Sequence, residues 1–77
     1  MPSDKESPFA KLSQRESEVV NLILQGKKIQ EISELLAISD KTVNTYRYRF
    51  YKKLEVTNDV ELTRLAVKYN LIDNSMI

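Results

Sequence analysis

The chain has 77 residues, of which 42% are hydrophobic and 30% charged, and its formal net charge is +1. This length and composition are typical of one small globular domain and not of a disordered chain. Because cysteine and histidine are absent, disulfides, thiol nucleophiles and imidazole bases are excluded, and only carboxylates remain as metal ligands. We therefore expect no cofactor, no metal site and no enzymatic activity.

The hydrophobic residues form only short runs, and none is longer than four residues. A membrane-spanning helix needs about 20 apolar residues, so we expect no membrane partner. Residues 1–10, with Pro2 and Pro8 and no signal-peptide pattern, are predicted to be a linker or disordered N-terminus, and residues 11–77 the folded domain. A cytoplasmic location is the default expectation.

The first two predicted helices follow from capping and spacing signals. Ser13 and Glu16 form a capping box that opens the first helix, and Gly26 is a plausible left-handed end. A second, short helix is predicted over 30–36, ahead of a tight turn. The apolar residues expected on the buried faces of these helices are Val19, Val20, Ile23, Ile29, Ile32, Leu35 and Leu36.

Two further helices complete the prediction. Ser39 is a good N-cap for a third helix over 40–53, and Asn58 with Glu61 forms a second capping box opening a fourth. The fourth helix runs through Leu62, Leu65, Ala66 and Tyr69 to a left-handed Asn70, after which Leu71 and Ile72 are expected to fold back on the core. The predicted fold is all-α, a four-helix helix-turn-helix domain.

The third helix carries two opposite faces. At about 100° per residue, Val43, Tyr46, Phe50 and Leu54 share an apolar face, while Lys41, Asn44, Thr45, Tyr48 and Lys52 share a polar face that lacks any carboxylate. Between positions 41 and 53 there are five basic residues and no acidic one, so the rest of the chain has a net charge of −4. Such a directed charge favours a nucleic-acid partner.

The residue types on the polar face suit the major groove of double-stranded DNA. Asparagine pairs with the adenine edge, the threonine methyl packs on the thymine methyl, and lysine reaches guanine or phosphate. The alternative is a solvated helix face that happens to be basic. Lys27 and Lys28 are open between a solvated loop and phosphate contact.

These residues resemble the LuxR/FixJ-type helix-turn-helix, the output domain of many bacterial response regulators, and most closely its GacA/UvrY branch. The matching positions are Leu12, Ser13, Arg15, Glu16, Gly26, Glu31, Ile32, Leu36, Ile38, Ser39, Thr42, Val43, Lys53, Leu54 and Val56. The resemblance covers residues 12–72 and implies that the third helix enters the major groove. Arg47 departs from the aliphatic residue common in the family, and we expect it to reach a phosphate or a neighbouring carboxylate.

The resemblance also implies roles for individual residues. The base-facing positions are Asn44, Thr45 and Tyr48, and the positions near phosphates are Lys41, Thr42 and Lys52. From the residues themselves we add Arg49 and Lys28 as phosphate contacts. The fourth helix is the implied dimer contact, and Val67, apolar on a polar face, favours the part of it with Thr63, Arg64 and Val67. The resemblance implies further features of the assembly. It implies a homodimer on inverted or tandem half-sites, with RNA polymerase as a possible further partner and no small-molecule ligand in this domain.

The predicted function is sequence-specific DNA binding for transcription regulation, as the output domain of a two-component response regulator. Most such regulators have an N-terminal phosphoacceptor domain, so we hypothesise that these 77 residues are an effector domain excised from a longer chain, with a stand-alone regulator as the alternative. Two other functions remain open: a promoter-reading module like the sigma-factor −35-binding domain, and a helical protein-interaction adaptor.

Overall fold

A computed structural model describes residues 7–71 as four α-helices preceded by one turn of 3₁₀ helix, and this part of the chain has no strand. The elements are a 3₁₀ turn at Pro8–Lys11, α1 at Gln14–Leu24, α2 at Ile29–Leu36, α3 at Asp40–Leu54 and α4 at Asp59–Lys68. The predicted all-α, four-helix architecture is confirmed. The expectation for Ile72 lies outside the described residues.

The helix starts depend on side-chain caps. Ser13 Oγ accepts a hydrogen bond from the Glu16 N–H at 3.2 Å, and Glu16 Oε1 accepts one from the Ser13 N–H at 2.9 Å, which confirms the first capping box. Ser39 caps α3 by accepting from the Thr42 N–H at 3.0 Å. These bonds satisfy backbone donors that have no partner inside the helix.

The second capping box is only half formed. Asn58 Oδ1 accepts from the Glu61 N–H at 2.9 Å, as predicted. The carboxylate of Glu61 does not return to Asn58 but accepts from the N–H and the hydroxyl of Thr57, at 2.8 and 2.9 Å. Thr57 gives Glu61 two donors at once, and the reciprocal bond from the Asn58 N–H that the sequence predicted is not formed, so that part of the prediction is wrong.

All four helices end in the same way, with one residue in the left-handed conformation. These residues are Gly26, Ala37, Glu55 and Asn70, with φ of 89°, 57°, 58° and 62°. In each case the next N–H bonds to a carbonyl five residues back, as in Ile38 to Ser33 at 3.0 Å, which is the Schellman geometry. The left-handed ends predicted at Gly26 and Asn70 are confirmed, and Ala37 closes the turn between α2 and α3 without a glycine.

The core lies between α3 and the other helices. Its buried apolar residues are Val19, Val20, Ile32, Val43, Phe50, Leu54, Val56, Leu62 and Ala66. The closest backbone packing joins α3 to α1 and to α2. Ser33 is buried on α2 and donates its hydroxyl to the Gln30 carbonyl at 2.8 Å, so a small polar side chain fills this position without an unsatisfied donor.

Two apolar residues expected to be buried are not. Leu35 is 60% exposed, because the buried stripe of α2 runs through Ile29, Ile32, Ser33 and Leu36 and leaves position 35 about 100° away. Leu71 is 48% exposed, although it lines a shallow pocket together with Phe9. Phe9 lies within the predicted linker, and its ring packs against the core and against the edge of Tyr69.

Candidate nucleic-acid interface

One face of α3 is exposed along its whole length. Lys41, Asn44, Thr45, Tyr48 and Lys52 all lie on it, and Tyr48, at 67%, is the most exposed large apolar or aromatic side chain among residues 7–71. Lys41, Asn44, Thr45, Tyr48 and Arg49 line a shallow depression on the surface. The structure therefore brings together the five polar-face residues and adds Arg49 at their edge.

The opposite face of α3 explains why these side chains point outward. Val43 and Phe50 are fully buried and Leu54 is 4% exposed, so the helix cannot rotate about its axis without exposing the largest core side chain. Tyr46 is half-buried and packs against the same core, in agreement with its prediction as a core residue. Burial of this stripe fixes the direction in which the polar face points.

Contacts within the exposed face restrict its side chains. The Thr45 hydroxyl donates to the Lys41 carbonyl at 3.0 Å, a local bond that leaves the threonine methyl as its unengaged group. The Lys52 ammonium lies 5.0 Å from the centre of the Tyr48 ring, within the range of a cation–π interaction. The tyrosine ring and a positive charge are thus held together one turn apart on the helix.

The N-terminus of α3 presents a second polar group of residues. The hydroxyls of Ser39 and Thr42 lie 2.9 Å apart, and Thr42 is half-buried beside its cap. Lys28 is exposed at the start of α2, where its backbone N–H donates to Glu31 Oε1 at 2.9 Å and leaves its ammonium free of that cap. The predicted phosphate roles of Thr42 and Lys28 stay predictions.

Two of the five basic residues in α3 are engaged within the protein. Arg47 bonds to Asp59 Oδ2 at 3.0 Å, and Lys53 bonds to Glu16 Oε1 at 2.8 Å. Lys41, Arg49 and Lys52 form no ion pair with any of residues 7–71. Within α3, the positive charge available to a partner therefore lies on these three side chains, on or beside the exposed face.

Arg47 belongs to a cluster at the junction of α3 and α4. Asp59, the first residue of α4, accepts from Arg47 and from the Tyr51 hydroxyl, and the Arg47 guanidinium carbon lies 5.3 Å from the centre of the Tyr51 ring. Burial and the bond to Asp59 raise the pKa of Tyr51 to about 12, so its phenol stays protonated and donates. Arg47 therefore reaches a neighbouring carboxylate, which is one of the two partners that its sequence position led us to expect.

Sequence reasoning missed the Glu16–Lys53 pair, and it expected a carboxylate near Arg47 as one of two alternatives without identifying Asp59. Glu16 and Lys53 are 37 residues apart, and no local pattern connects them. Arg47 and Tyr51 are spaced four residues apart on one helix, which could have indicated a shared face, but their partner Asp59 lies on another element. Such pairs depend on how the helices pack and are not periodic in the sequence.

The buried carboxylate of Glu16 is stabilised as an anion. Burial by itself would raise its pKa, but the hydrogen bonds from Lys53 and from Ser13 outweigh that effect and hold the pKa of Glu16 below its ordinary value. Glu16 is 2% exposed. It therefore caps α1 and anchors α3 at the same time, a structural role outside the exposed face.

The predicted dimer contacts lie along α4. Arg64 is exposed, while Thr63 and Val67 are half-buried, and the Thr63 hydroxyl donates to the Asp59 carbonyl at 2.9 Å. Val60, which the sequence analysis did not select, is 64% exposed and occupies the same helical stripe at spacings of three, four and seven residues. The stripe of Val60, Thr63, Arg64 and Val67 is a partly apolar surface of one helix.

The described part of the chain has neither a metal-binding cluster of side chains nor a membrane-spanning helix. Residues 7–71 contain no group of three or more acidic side chains close enough to hold an ion. No helix among them is long and apolar enough to cross a bilayer.

Known proteins match the chain over most of its length. The family described as "Bacterial regulatory proteins, luxR family" matches residues 10–66. The chain is 53% identical over 70 residues to Response regulator UvrY of Escherichia coli (strain K12), covering 91% of this chain and 32% of that protein. It is 49% identical over 72 residues to Response regulator GacA of Pseudomonas aeruginosa, covering 94% of this chain and 34% of that protein.

The sequence resemblance and the geometry agree on one assignment. The chain spans about a third of the length of the curated relatives that it matches. The matched residues 10–66 include α1, α2, all of α3 and the larger part of α4, so the match covers the helix-turn-helix and its supporting helices. The chain belongs to the luxR family of bacterial regulatory proteins and is a non-enzymatic helix-turn-helix domain that binds double-stranded DNA.

Proposed function

We propose that this domain is the output domain of a two-component response regulator and that it reads base sequence through the exposed face of α3. The observation that carries the proposal is this face itself, which has no carboxylate and is directed outward by Val43, Phe50 and Leu54 in the core. Carboxylates would be repelled by the phosphates that flank a DNA groove. The proposed role places the protein in the cytoplasm, where bacterial DNA lies.

The residues of the face divide into base-reading and phosphate-binding groups. We assign Asn44, Thr45 and Tyr48 to base edges, because an amide, a methyl and an aromatic ring recognise them by hydrogen bonding and apolar contact. Phosphate contacts are assigned to Lys41, Thr42, Arg49, Lys52 and Lys28. The three cations of α3 that form no ion pair within residues 7–71 support this division.

Homodimerisation on DNA is assigned to α4. The stripe of Val60, Thr63, Arg64 and Val67 combines exposed apolar surface with one charge, and a two-fold axis would place the same stripe on both copies. Two copies would then present their α3 helices to half-sites about one helical turn apart. A dimer bound beside a promoter would also bring RNA polymerase within reach as a second partner.

Selection of bound sites from random double-stranded DNA tests this function. The expected result is an enriched site made of two related halves, bound by two copies of the domain, with affinity that falls steeply as the salt concentration rises. Binding of one copy to a single element only with RNA polymerase present would favour a sigma-like module. Weak binding with no preference among sequences would contradict base reading and favour the adaptor.

A further inference from the structure

The cluster of Arg47, Tyr51 and Asp59 lies between the helix assigned to DNA and the helix assigned to the dimer. Arg47 and Tyr51 are one turn apart on α3, and Asp59 is the first residue of α4. The bonds from Arg47 and Tyr51 use both carboxylate oxygens of Asp59. The N-terminus of α4 is thus attached to α3 by two hydrogen bonds with defined directions.

The remaining attachment of α4 is less directional. Leu62 and Ala66 are fully buried, and they secure the helix by apolar contact. Apolar burial depends on the area removed from water and not on an angle, whereas charge-assisted hydrogen bonds require a particular geometry. The closest helix packing joins α1, α2 and α3 and does not include α4. The angle between α4 and α3 therefore depends on such directional bonds more strongly than the angles among the other three helices do.

Arg47 has no other anchor among the described residues. Its Nε is buried without a hydrogen-bond partner, so the guanidinium is held in place by Asp59 and by the ring of Tyr51. The Arg47 side chain is 29% exposed and the Asp59 side chain 47%, so solvent and salt screen the pair in part. An arginine that leaves a buried donor unpaired is an inefficient way to add stability alone.

We propose that Arg47, Tyr51 and Asp59 form a positioning cluster that sets the angle between α3 and α4, and thereby the spacing of the two DNA half-sites that a dimer accepts. The inference rests on the proposed function, in which α3 binds DNA and α4 joins two copies. A change in this angle moves the two recognition helices relative to each other while each keeps its own contacts with a half-site. The cluster therefore acts on spacing and not on base recognition.

The first experiment measures affinity for duplexes with two copies of the selected half-site, separated by distances that increase in single base-pair steps. Arg47→Met and Tyr51→Phe should reduce the preference for the best spacing over its neighbours from about tenfold to less than about threefold. Affinity for a duplex with one half-site should stay within about twofold of the parent. Arg15→Met is the matched control, because it breaks the exposed Arg15–Glu18 pair on α1 at 3.1 Å.

The second experiment needs no DNA. The chain has no cysteine, so Asp40→Cys with Lys68→Cys allows two spin labels at exposed positions on α3 and α4. The label-to-label distances should form a narrow distribution in the parent and in Arg15→Met. The distribution should broaden or shift in Arg47→Met and in Tyr51→Phe, while the helical circular dichroism shows that both variants stay folded.

The outcomes separate this inference from the proposed function. Loss of spacing preference with unchanged single-site affinity supports the positioning cluster. A preference retained in both variants, a parent indifferent to spacing, or an equal loss on single and paired sites overturns it while DNA binding stands. If the parent binds no duplex, the proposed function fails, and the distance distributions alone decide: broadening supports the cluster, and no change overturns it.

Discussion

Lys53 Nζ lies 2.8 Å from Glu16 Oε1 and so joins the last turn of α3 to the first turn of α1. The same carboxylate oxygen accepts the Ser13 N–H that opens α1. One buried glutamate therefore caps the first helix and holds the DNA-binding helix against it. This contact adds to the burial of Val43 and Phe50, which directs the exposed face of α3 outward.

Glu16→Gln should lower the free energy of unfolding by about 1–3 kcal/mol, because a charge-assisted bond is lost at a buried site. Urea denaturation followed by circular dichroism measures the change. Glu18→Gln is the matched control, since its partner Arg15 is exposed and such pairs are worth less than about 1 kcal/mol. Equal stability of Glu16→Gln and the parent would mean that Lys53 contributes nothing at this site.

The contribution of Glu16 should also depend on pH. Its pKa in the folded protein is below the ordinary 4.5, so the stabilisation is complete above that value and is lost as the pH falls through the folded-state pKa. The stability difference between the parent and Glu16→Gln should therefore shrink between neutral pH and strongly acidic pH. A difference that is the same at both pH values would contradict the ionised state assigned to Glu16.

Asn44→Ala should cost about 1–3 kcal/mol of binding free energy on the selected DNA site and relax base choice at one position. The same is expected of Tyr48→Ala, while Tyr48→Phe separates the ring from its hydroxyl. Asn21→Ala removes the same amide group from the exposed surface of α1 and should leave both the affinity and the base choice unchanged. Equal losses on selected and random duplexes would remove Asn44 and Tyr48 from the base-reading group.

Lys52→Ala should weaken binding to all duplexes and reduce the slope of log affinity against log salt by about 1, as expected for one phosphate contact. The slope comes from titrations at several salt concentrations. Lys11→Ala removes an exposed cation from the 3₁₀ turn and should leave the slope unchanged. If Lys52→Ala keeps the parent slope, its ammonium serves only the Tyr48 ring.

Glu55→Gly should raise the free energy of unfolding by about 0.5–1 kcal/mol. Glycine relieves the left-handed strain and removes a negative charge at a helix C-terminus, and these two gains exceed its entropic cost. Glu55 has a φ of 58°. Gln25→Gly, at a right-handed φ of −79°, should lower stability instead. If both substitutions changed the free energy of unfolding in the same direction, the φ value would not control the effect.

Much of the local structure is readable in the sequence. Ser13, Ser39 and Asn58 cap their helices because their side chains accept from nearby N–H groups, and that chemistry acts over three residues. Leu35 shows the limit of such reasoning. Its apolar character suits a buried face, but the part of α2 that contacts α3 covers only the neighbouring positions. The width of that contact depends on how the two helices pack and is not visible in the sequence.

Local spacing along the chain determined the four helices, their caps and the carboxylate-free face of α3, since each depends on neighbours within one or two turns. Only the tertiary structure decided which cations of α3 stay available and which are neutralised by Glu16 and Asp59. The physical reason is that an ion pair forms wherever packing brings two charges together, however far apart they stand in the chain.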